Sequence, residues 1–198
     1  MRLVEGGLGP ATAYIIIGDG RRERRILRGV VEKYNHRKAL RIPDDPLPGR
    51  TGFKTCIERL TLLLDKTRVT TYLIIVDREH LEIQDPKNLE KELRKHGIEV
   101  IELQEVEKHC WRLELRRGAK RAALYIAVLG QRKRVEENLA QLIQLLYGEQ
   151  VEGEKEAVNK WLKEHGIEDI DLVRKASRKI FEQAFPQLAK PLQELTHN

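Results

Sequence analysis

Cysteine, methionine and aromatic residues are scarce in this chain of 198 residues, and long hydrophobic runs are missing. The two cysteines, Cys56 and Cys110, lie far apart without metal-ligand spacing, which argues against a structural zinc site and indicates isolated thiols in a reducing compartment. The longest apolar runs, such as residues 122–129, fall far short of the roughly 20 residues that a membrane helix needs. The first residues do not have the pattern of a signal peptide, so we expect a cytoplasmic protein with no membrane partner. The single methionine and the 34% of charged residues favour a heat-adapted source.

Positive charge is plentiful, and it is concentrated in two blocks. Residues 1–60 hold 13 Lys or Arg against 7 Asp or Glu, and residues 108–134 hold 9 against 1. Such blocks suit a polyanion such as nucleic acid, because neutralising phosphates supplies most non-specific affinity. Solvated helix faces are the alternative interpretation. Since aromatic residues make up only 5% of the chain, contacts with nucleic acid would depend on phosphates rather than on base stacking.

Short apolar runs alternate with helical patterns along the first two thirds of the chain. This alternation predicts βαβ units, and therefore an α/β fold with a mainly parallel central sheet and helices on both faces. We expect a core of residues 1–134 and a helical C-terminal extension, residues 135–198, packed on the same domain. The predicted strands are residues 13–17, 69–76, 98–103 and 120–129; the predicted helices are residues 21–34, 53–65, 86–96, 135–147, 155–165 and 172–195, the last broken near Pro186.

Two segments fit neither pattern well. Residues 40–52 are rich in proline and glycine, which predicts a long loop, and Asp44 and Asp45 in it could supply an extra ligand. Residues 111–115 are compatible with a short strand or a short helix, and the sequence leaves this choice open.

Acidic residues follow two of the predicted strands. Asp19 comes after the first, and Asp77 and Glu79 come after the second. If these strands are neighbours, the three carboxylates project from one edge of the sheet, where ligands of α/β proteins bind. Hard cations such as Mg²⁺ or Mn²⁺ prefer oxygen ligands of this kind and can stabilise both oxygens of a phosphoryl transfer. We therefore name Asp19, Asp77 and Glu79 as candidate catalytic and metal-binding residues.

The surroundings of Asp19 would suit a phosphate. Glycine on either side allows a sharp turn with close backbone approach, and the first turn of the next helix adds N–H donors and a positive dipole end. The candidate phosphate-binding residues are Gly18, Gly20, Arg21, Arg22, Arg24 and Arg25 in the first basic block, and Arg116, Arg117, Lys120 and Arg121 in the second.

Two segments resemble the motifs of Toprim domains. YIIIGDGRRERRIL, residues 14–27, is similar to the first motif, in which a hydrophobic strand ends in an acid followed by Gly and then a helix. YLIIVDRE, residues 72–79, is similar to the second, in which a strand ends in Asp-x-Asp. The resemblance covers residues 12–103 and extends to a last strand at residues 120–130. The segment 185–195 is similar to the terminal helix of the small stand-alone members.

The resemblance implies Mg²⁺-dependent chemistry on nucleic-acid phosphodiesters, as in a nuclease. It assigns Asp19 as general acid/base or metal ligand, and Asp77 with Glu79 as the metal-binding pair. This chain departs from the family pattern at two of these places, because the family has Glu where Asp19 stands and Asp where Glu79 stands. Each exchange keeps the charge and moves the carboxylate by about one carbon–carbon bond, which alters metal geometry.

Other interpretations stay open. Asp19 in a Gly-Asp-Gly turn could simply cap the following helix, and Asp77 could be an ordinary acid at a strand end. The second function that we consider is a non-catalytic Toprim-like module that binds nucleic acid, or that assembles with a protein partner or as a homodimer. In that case the helical extension would be the interaction surface.

Overall fold

The computed structural model describes residues 1–18, 20–34, 37–44, 51–81 and 86–197. These residues form one sheet of seven strands. The strands are β1 (Arg2–Glu5), β2 (Ala13–Ile17), β3 (Ala39–Ile42), β4 (Thr71–Asp77), β5 (Glu99–Glu107), β6 (Cys110–Arg117) and β7 (Lys120–Leu129). Their order across the sheet is β1-β3-β2-β4-β7-β6-β5.

Helices connect the parallel strands and make up most of the C-terminal third. The described helices are α1 (Arg21–Val30), α2 (Phe53–Lys66), α3 (Pro86–Lys95), α4 (Glu136–Tyr147), α5 (Lys155–Glu164), α6 (Asp169–Lys175), α7 (Arg178–Ala184) and α8 (Pro186–His197). None of the helices in this described part of the chain has the length and apolar character that crossing a bilayer requires.

The sheet is mostly parallel, and the predicted α/β class is confirmed. Strands β1, β3, β2, β4 and β7 run in the same direction, whereas β6 is antiparallel to both β7 and β5. The central strands β2 and β4 are direct neighbours, with Ile17 of β2 opposite Ile75 of β4. Their carboxyl ends therefore meet at the same edge of the sheet, and Asp77 lies there.

Alternate side chains of the central strands belong to two separate buried clusters. Ile15 of β2 packs in a cluster with Leu27 of α1 and with apolar residues of α4 to α8. Ile16, the next residue, packs in the other cluster with Leu60 of α2 and with residues of α3. This alternation follows from the two-residue repeat of a strand, and it explains why β2 and β4 are almost continuously apolar.

The structure differs from the sequence prediction mainly at short elements. Residues 40–42, predicted as the start of a loop, belong to β3, and β1 was not predicted. Each strand has four residues, with two charged ones in β1 and one in β3, so its apolar signal is weak. Residues 111–115 are part of β6. The helix predicted over residues 172–195 is divided into α6, α7 and α8, and α8 begins at Pro186, a position that tolerates proline because its N–H has no intrahelical partner. Asp45 lies outside the described residues.

Candidate functional site

Buried acidic side chains meet at the carboxyl end of β4. Asp77, the last residue of β4, is 6% exposed, and Glu23 of α1 and Glu136 of α4 are 4% and 5% exposed. Asp77 forms a side-chain hydrogen bond with Glu23, and the charges of Glu23 and Glu136 both act on it. We call Asp77, Glu23 and Glu136 the acid cluster. Three acids with so little exposure carry a large desolvation penalty unless a proton or a cation compensates their charge.

The pKa of Asp77 is raised far above the usual value of an aspartate, to about 9. Burial is the largest cause, followed by repulsion from Glu23 and Glu136 and by the hydrogen bond with Glu23; the hydrogen bond from the Val135 amide acts in the opposite direction. The Asp77 carboxyl group therefore binds a proton more readily than an ordinary aspartate does. A strongly shifted carboxyl group in a cleft is typical of functional sites.

The acid cluster lies in a cleft of about 380 Å³. Basic side chains from α1, from the loop before α4 and from α5 surround it, so the opening is positive above an acidic floor. The residues that line the cleft are Gly20, Arg21, Arg22, Glu23, Arg25, Asp77, Glu79, Arg134, Val135, Glu136, Lys155 and Asn159.

Of the three predicted metal ligands, Asp77 and Glu79 line this cleft, and Asp19 lies outside the described residues. Glu79 differs from Asp77 in its environment. Its side chain is 33% exposed and forms an ion pair with Arg134 at 2.8 Å, and its backbone N–H donates to the carbonyl of Lys133 at 2.7 Å. Glu79 thus anchors the loop before α4 and holds Arg134 at the rim of the cleft.

The arginines of the first basic block have different surroundings. Arg21 is exposed at the start of α1 and lines the cleft. Arg22 is only 14% exposed and binds Glu136 at 2.5 Å and Asp169 at 3.2 Å. Arg25 binds Asp169 at 2.5 Å, and Arg24 lies 3.6 Å from Glu5, away from the acid cluster. The ion pairs of Arg22 and Arg25 connect α1 to the C-terminal helices.

The four candidate residues of the second basic block, Arg116, Arg117, Lys120 and Arg121, lie at the opposite end of the sheet. Lys120 starts β7 and Asp77 pairs with Leu129 at its end, so nine residues, about 30 Å at roughly 3.3 Å each, separate the two. Arg116 and Arg117 form ion pairs with Glu99 and Asp65. Arg121 is exposed. These four predicted phosphate-binding residues therefore do not form one surface with the acid cluster, whereas Gly20, Arg21, Arg22 and Arg25 line its cleft.

Lys120 has acceptors of its own. Its ammonium group donates to the carbonyls of Leu64 and Thr67 and to the hydroxyl of Tyr72, at 3.0, 2.6 and 3.1 Å. These contacts satisfy carbonyl groups around the end of α2, where a cation is favourable. Lys120 thus forms hydrogen bonds within the protein that the prediction of phosphate binding did not anticipate.

Gly18 and Gly20 are tightly packed. A Cβ atom on Gly18 would lie 2.7 Å from Val76, and one on Gly20 would lie 2.3 Å from Oε2 of Glu23. A larger residue at Gly18 would collide with the branched Val76 side chain, whereas at Gly20 the close neighbour is the end of the flexible Glu23 side chain, a member of the acid cluster. We had predicted these glycines for close approach of a phosphate.

Glu23 and Glu136 were missed by the sequence prediction. A usable signal existed, since both are acids in the first turn of a helix that begins at the carboxyl edge of the sheet. Acids at that place are common as helix-stabilising residues, so the pattern alone does not separate function from capping.

The residues present fit a hard cation. Within the described ranges, no three His, Cys, Asp or Glu side chains form a complete set of metal ligands. Mg²⁺ usually takes only one or two carboxylates, with water and substrate oxygens as its other ligands. Asp77 and Glu23 supply two interacting carboxylates, and Glu136 adds negative charge beside them. Oxygen donors without sulfur or imidazole are the set that Mg²⁺ or Mn²⁺ prefers.

Comparison with known proteins adds no assignment. No family model, no curated protein and no solved structure matches this chain. The Toprim resemblance remains a prediction from the two motifs.

Proposed function

We propose that this chain is a Toprim-like protein that cleaves nucleic-acid phosphodiesters with the help of Mg²⁺ or Mn²⁺. The observation that carries the proposal is the acid cluster: Asp77 and Glu23 are hydrogen-bonded to each other, with Glu136 beside them, at the carboxyl edge of two adjacent parallel strands. Ligands of open α/β sheets bind at this edge. Asp77 and Glu79 both belong to the second motif and line the cleft, and of the two only Asp77 is a member of the buried acid cluster.

Asp77 and Glu23 would hold the ion. When bound, it would neutralise charge on a phosphoryl group and activate the attacking oxygen. The exposed Arg21 and Lys155 at the cleft opening would bind phosphate oxygens, together with the N–H groups at the start of α1. Glu79 would orient Arg134 for the same purpose, since the two are ion-paired at the rim.

Several broader inferences belong to this proposal. The two buried clusters support helices on both faces of the sheet, and residues of α4 to α8 in the cluster of Ile15 support a helical extension that belongs to the same domain as residues 1–134. Cys56 and Cys110 are both buried free thiols, which supports a reducing, cytoplasmic location.

Metal binding and cleavage test the proposal together. We would titrate the purified chain with Mn²⁺ and Mg²⁺ by calorimetry and assay cleavage of single- and double-stranded DNA and RNA. Asp77→Ala and Glu23→Gln should each lower metal affinity at least about tenfold and abolish cleavage, because each removes a proposed ligand. Asp65→Ala, an exposed acid at the far end of the molecule, is the matched control. Unchanged metal affinity in Asp77→Ala would refute the proposal.

The alternative is a non-catalytic module, and one observation favours it. Arg22 already provides a positive charge within contact distance of Glu136, so part of the cluster is neutralised by the chain itself. Such a module would bind oligonucleotides, an acidic protein partner or a second copy of itself, without metal. Metal-independent oligonucleotide binding with no cleavage in any of the assays above would support it.

A further inference from the structure

The guanidinium group of Arg22 lies among three partners that come from the C-terminal helices. Its Nη1 is 2.5 Å from Glu136 Oε1, its Nη2 donates to Asn159 at 2.5 Å, and its Nε donates to Asp169 at 3.2 Å. The side chains of Arg22 and Glu136 are 14% and 6% exposed. Water therefore screens this ion pair weakly. The positive charge of the Arg22 guanidinium consequently has a strong effect on any other ion that binds at the acid cluster.

We propose that Arg22 is a built-in cation that competes with a divalent metal for the acid cluster. The inference rests on the metal site proposed above and concerns its regulation. Glu136 has one carboxylate, and its Oε1 is already used by Arg22. A second cation near the cluster meets the repulsion of a guanidinium only a few ångströms away, and loses part of the attraction of Glu136.

Asp169 offers Arg22 another place to bind. It is 2% exposed, and its Oδ2 accepts hydrogen bonds from both Arg22 and Arg25. Its Oδ1 is buried and has no hydrogen-bond partner among the described residues. An unused buried acceptor is unfavourable, and an arginine that binds both oxygens of a carboxylate makes a strong pair. Arg22 already contacts Oδ2 through its Nε, so it can leave Glu136 and complete its pairing with Asp169 through Oδ1 when a metal ion arrives.

This arrangement couples two states of one side chain. With no metal, Arg22 neutralises Glu136 and keeps the acid cluster compact. With metal, Arg22 gives up Glu136, keeps Asp169 and stays at the cleft, where its charge faces a phosphate. A purely structural ion pair between α1 and the C-terminal helices would hold Arg22 in the first state only.

The test is the affinity for Mn²⁺, measured by calorimetry and by the paramagnetic resonance signal of free Mn²⁺, with no nucleic acid present. Arg22→Gln should bind Mn²⁺ about tenfold more tightly than the wild type, because it frees Glu136 and removes the repulsion. Arg25→Gln is the matched control: it removes the same charge from the same helix and cleft, but the contact that it loses is with Asp169 alone. Its affinity should change less than about threefold.

Two further variants complete the test. Asp169→Asn should weaken Mn²⁺ binding, since Arg22 loses its second partner, and this effect should disappear when Arg22→Gln is also present. If Arg22→Gln does not fold, Arg22→Lys replaces it in the test. A single ammonium group cannot bind all three partners as the guanidinium group does, so we expect Arg22→Lys to gain about threefold in Mn²⁺ affinity.

The outcomes separate the two proposals. Unchanged or weaker Mn²⁺ binding in Arg22→Gln, or an equal gain in Arg25→Gln, overturns the role of Arg22 and leaves the metal site standing. If neither the wild type nor Arg22→Gln binds Mn²⁺, both the inference and the proposed function are refuted.

Discussion

The backbone amide of Val135 donates a hydrogen bond to Oδ1 of Asp77 at 3.2 Å, which ties the start of α4 to the end of β4. Glu136 follows Val135 directly, so the contact that supports the Asp77 carboxyl group also brings a second acid next to it. The hydrogen bond alone lowers the pKa of Asp77, but burial and the neighbouring acids outweigh it. The position is thus unfavourable for a charged aspartate unless a cation is present.

Replacing Asp77 by Asn should stabilise the protein in alkaline solution. Burial and the neighbouring acids raise the pKa of Asp77 from 3.8 to about 9 in the folded state. Between these values the folded chain holds a proton that the unfolded chain has lost, so wild-type stability falls as the pH rises. Asp77→Asn carries no such charge and should be more stable by at least about 1 kcal/mol at pH 8, with little difference at pH 4. Urea unfolding of both proteins between pH 4 and pH 8, with chelator present, measures this difference in stability.

Asp65 provides the control for this pH dependence. The hydrogen bond from Arg117 lowers the pKa of Asp65 below 3.8, so its contribution to stability is present above that pH and is lost in acid. Asp65→Asn should therefore be slightly less stable than the wild type at neutral pH and equal to it in strong acid. Loss of stability in Asp77→Asn at pH 8 would contradict the prediction for the acid cluster.

Gly20→Ala should weaken metal binding without unfolding the chain. Gly20 has an ordinary extended backbone with φ of −145°, so alanine brings no backbone strain. Its Cβ would instead collide with Oε2 of Glu23, and the flexible Glu23 side chain would move away from Asp77. We expect a change in unfolding free energy below about 1 kcal/mol and a loss of Mn²⁺ affinity of several fold. Thermal unfolding and calorimetry provide the two measurements.

A double variant checks that Glu23 carries this effect. If Gly20→Ala acts by displacing Glu23, adding it to Glu23→Gln should change Mn²⁺ affinity no further, because the ligand is already lost. Additive losses would instead mean that Gly20 affects the metal site by another route.

Lys120 and Arg121 are adjacent in sequence and should respond in opposite ways. Lys120→Met removes three hydrogen bonds near the end of α2 and should destabilise the protein by about 1–3 kcal/mol, while affinity for a labelled oligonucleotide stays the same.

Arg121→Gln changes an exposed side chain and should leave stability unchanged. If the second basic block binds nucleic acid, it should also weaken oligonucleotide binding and reduce the salt dependence by about one ion. Fluorescence anisotropy of the labelled oligonucleotide at several salt concentrations measures the affinity of both variants and distinguishes Lys120→Met from Arg121→Gln. Weaker oligonucleotide binding by a folded Lys120→Met variant would contradict this prediction and indicate that Lys120 binds phosphate.

Glu137 should rigidify the loop that leads into α4. Its carboxylate accepts hydrogen bonds from the backbone amides of Gln131, Arg132 and Lys133, at 2.6, 2.6 and 3.0 Å. Glu137→Ala should reduce stability by about 1–2 kcal/mol, because these three donors lose a charged acceptor, and amide hydrogen exchange at residues 131–133 should become faster.

The matched control for Glu137 is Glu156→Ala. Glu156 is likewise an acid in the first turn of a helix, α5, but it is exposed. Its replacement should leave the protection of residues 131–133 as it is in the wild type. Unchanged exchange of those amides in Glu137→Ala would show that other contacts order the loop.

Sequence was sufficient for elements whose signal is local. The apolar runs that became β2, β4 and β7, and the amphipathic pattern of α2, depend on burial of neighbouring residues and could be predicted. The position of Asp77 at the end of a central strand could be predicted too, because the apolar run of that strand ends there.

Properties that depend on distant contacts could not be predicted in this way. Glu23 and Glu136 meet at Asp77 only because α1 and α4 both start at the carboxyl edge of the sheet. The sequence of neither helix indicates that the other one lies beside it. Lys120 looked like a phosphate ligand because a sequence shows its charge but not the carbonyl groups that surround it. Arg22 looked like one for the same reason, although Glu136 and Asp169 bind it.

One apolar cluster contains Met1, Ile15 of β2 and Leu195 of α8. During synthesis on the ribosome, the side of the sheet that carries Ile15 therefore stays incompletely covered until α8 has left the exit tunnel. A nascent chain halted before α8 would therefore expose part of this apolar cluster, which favours aggregation.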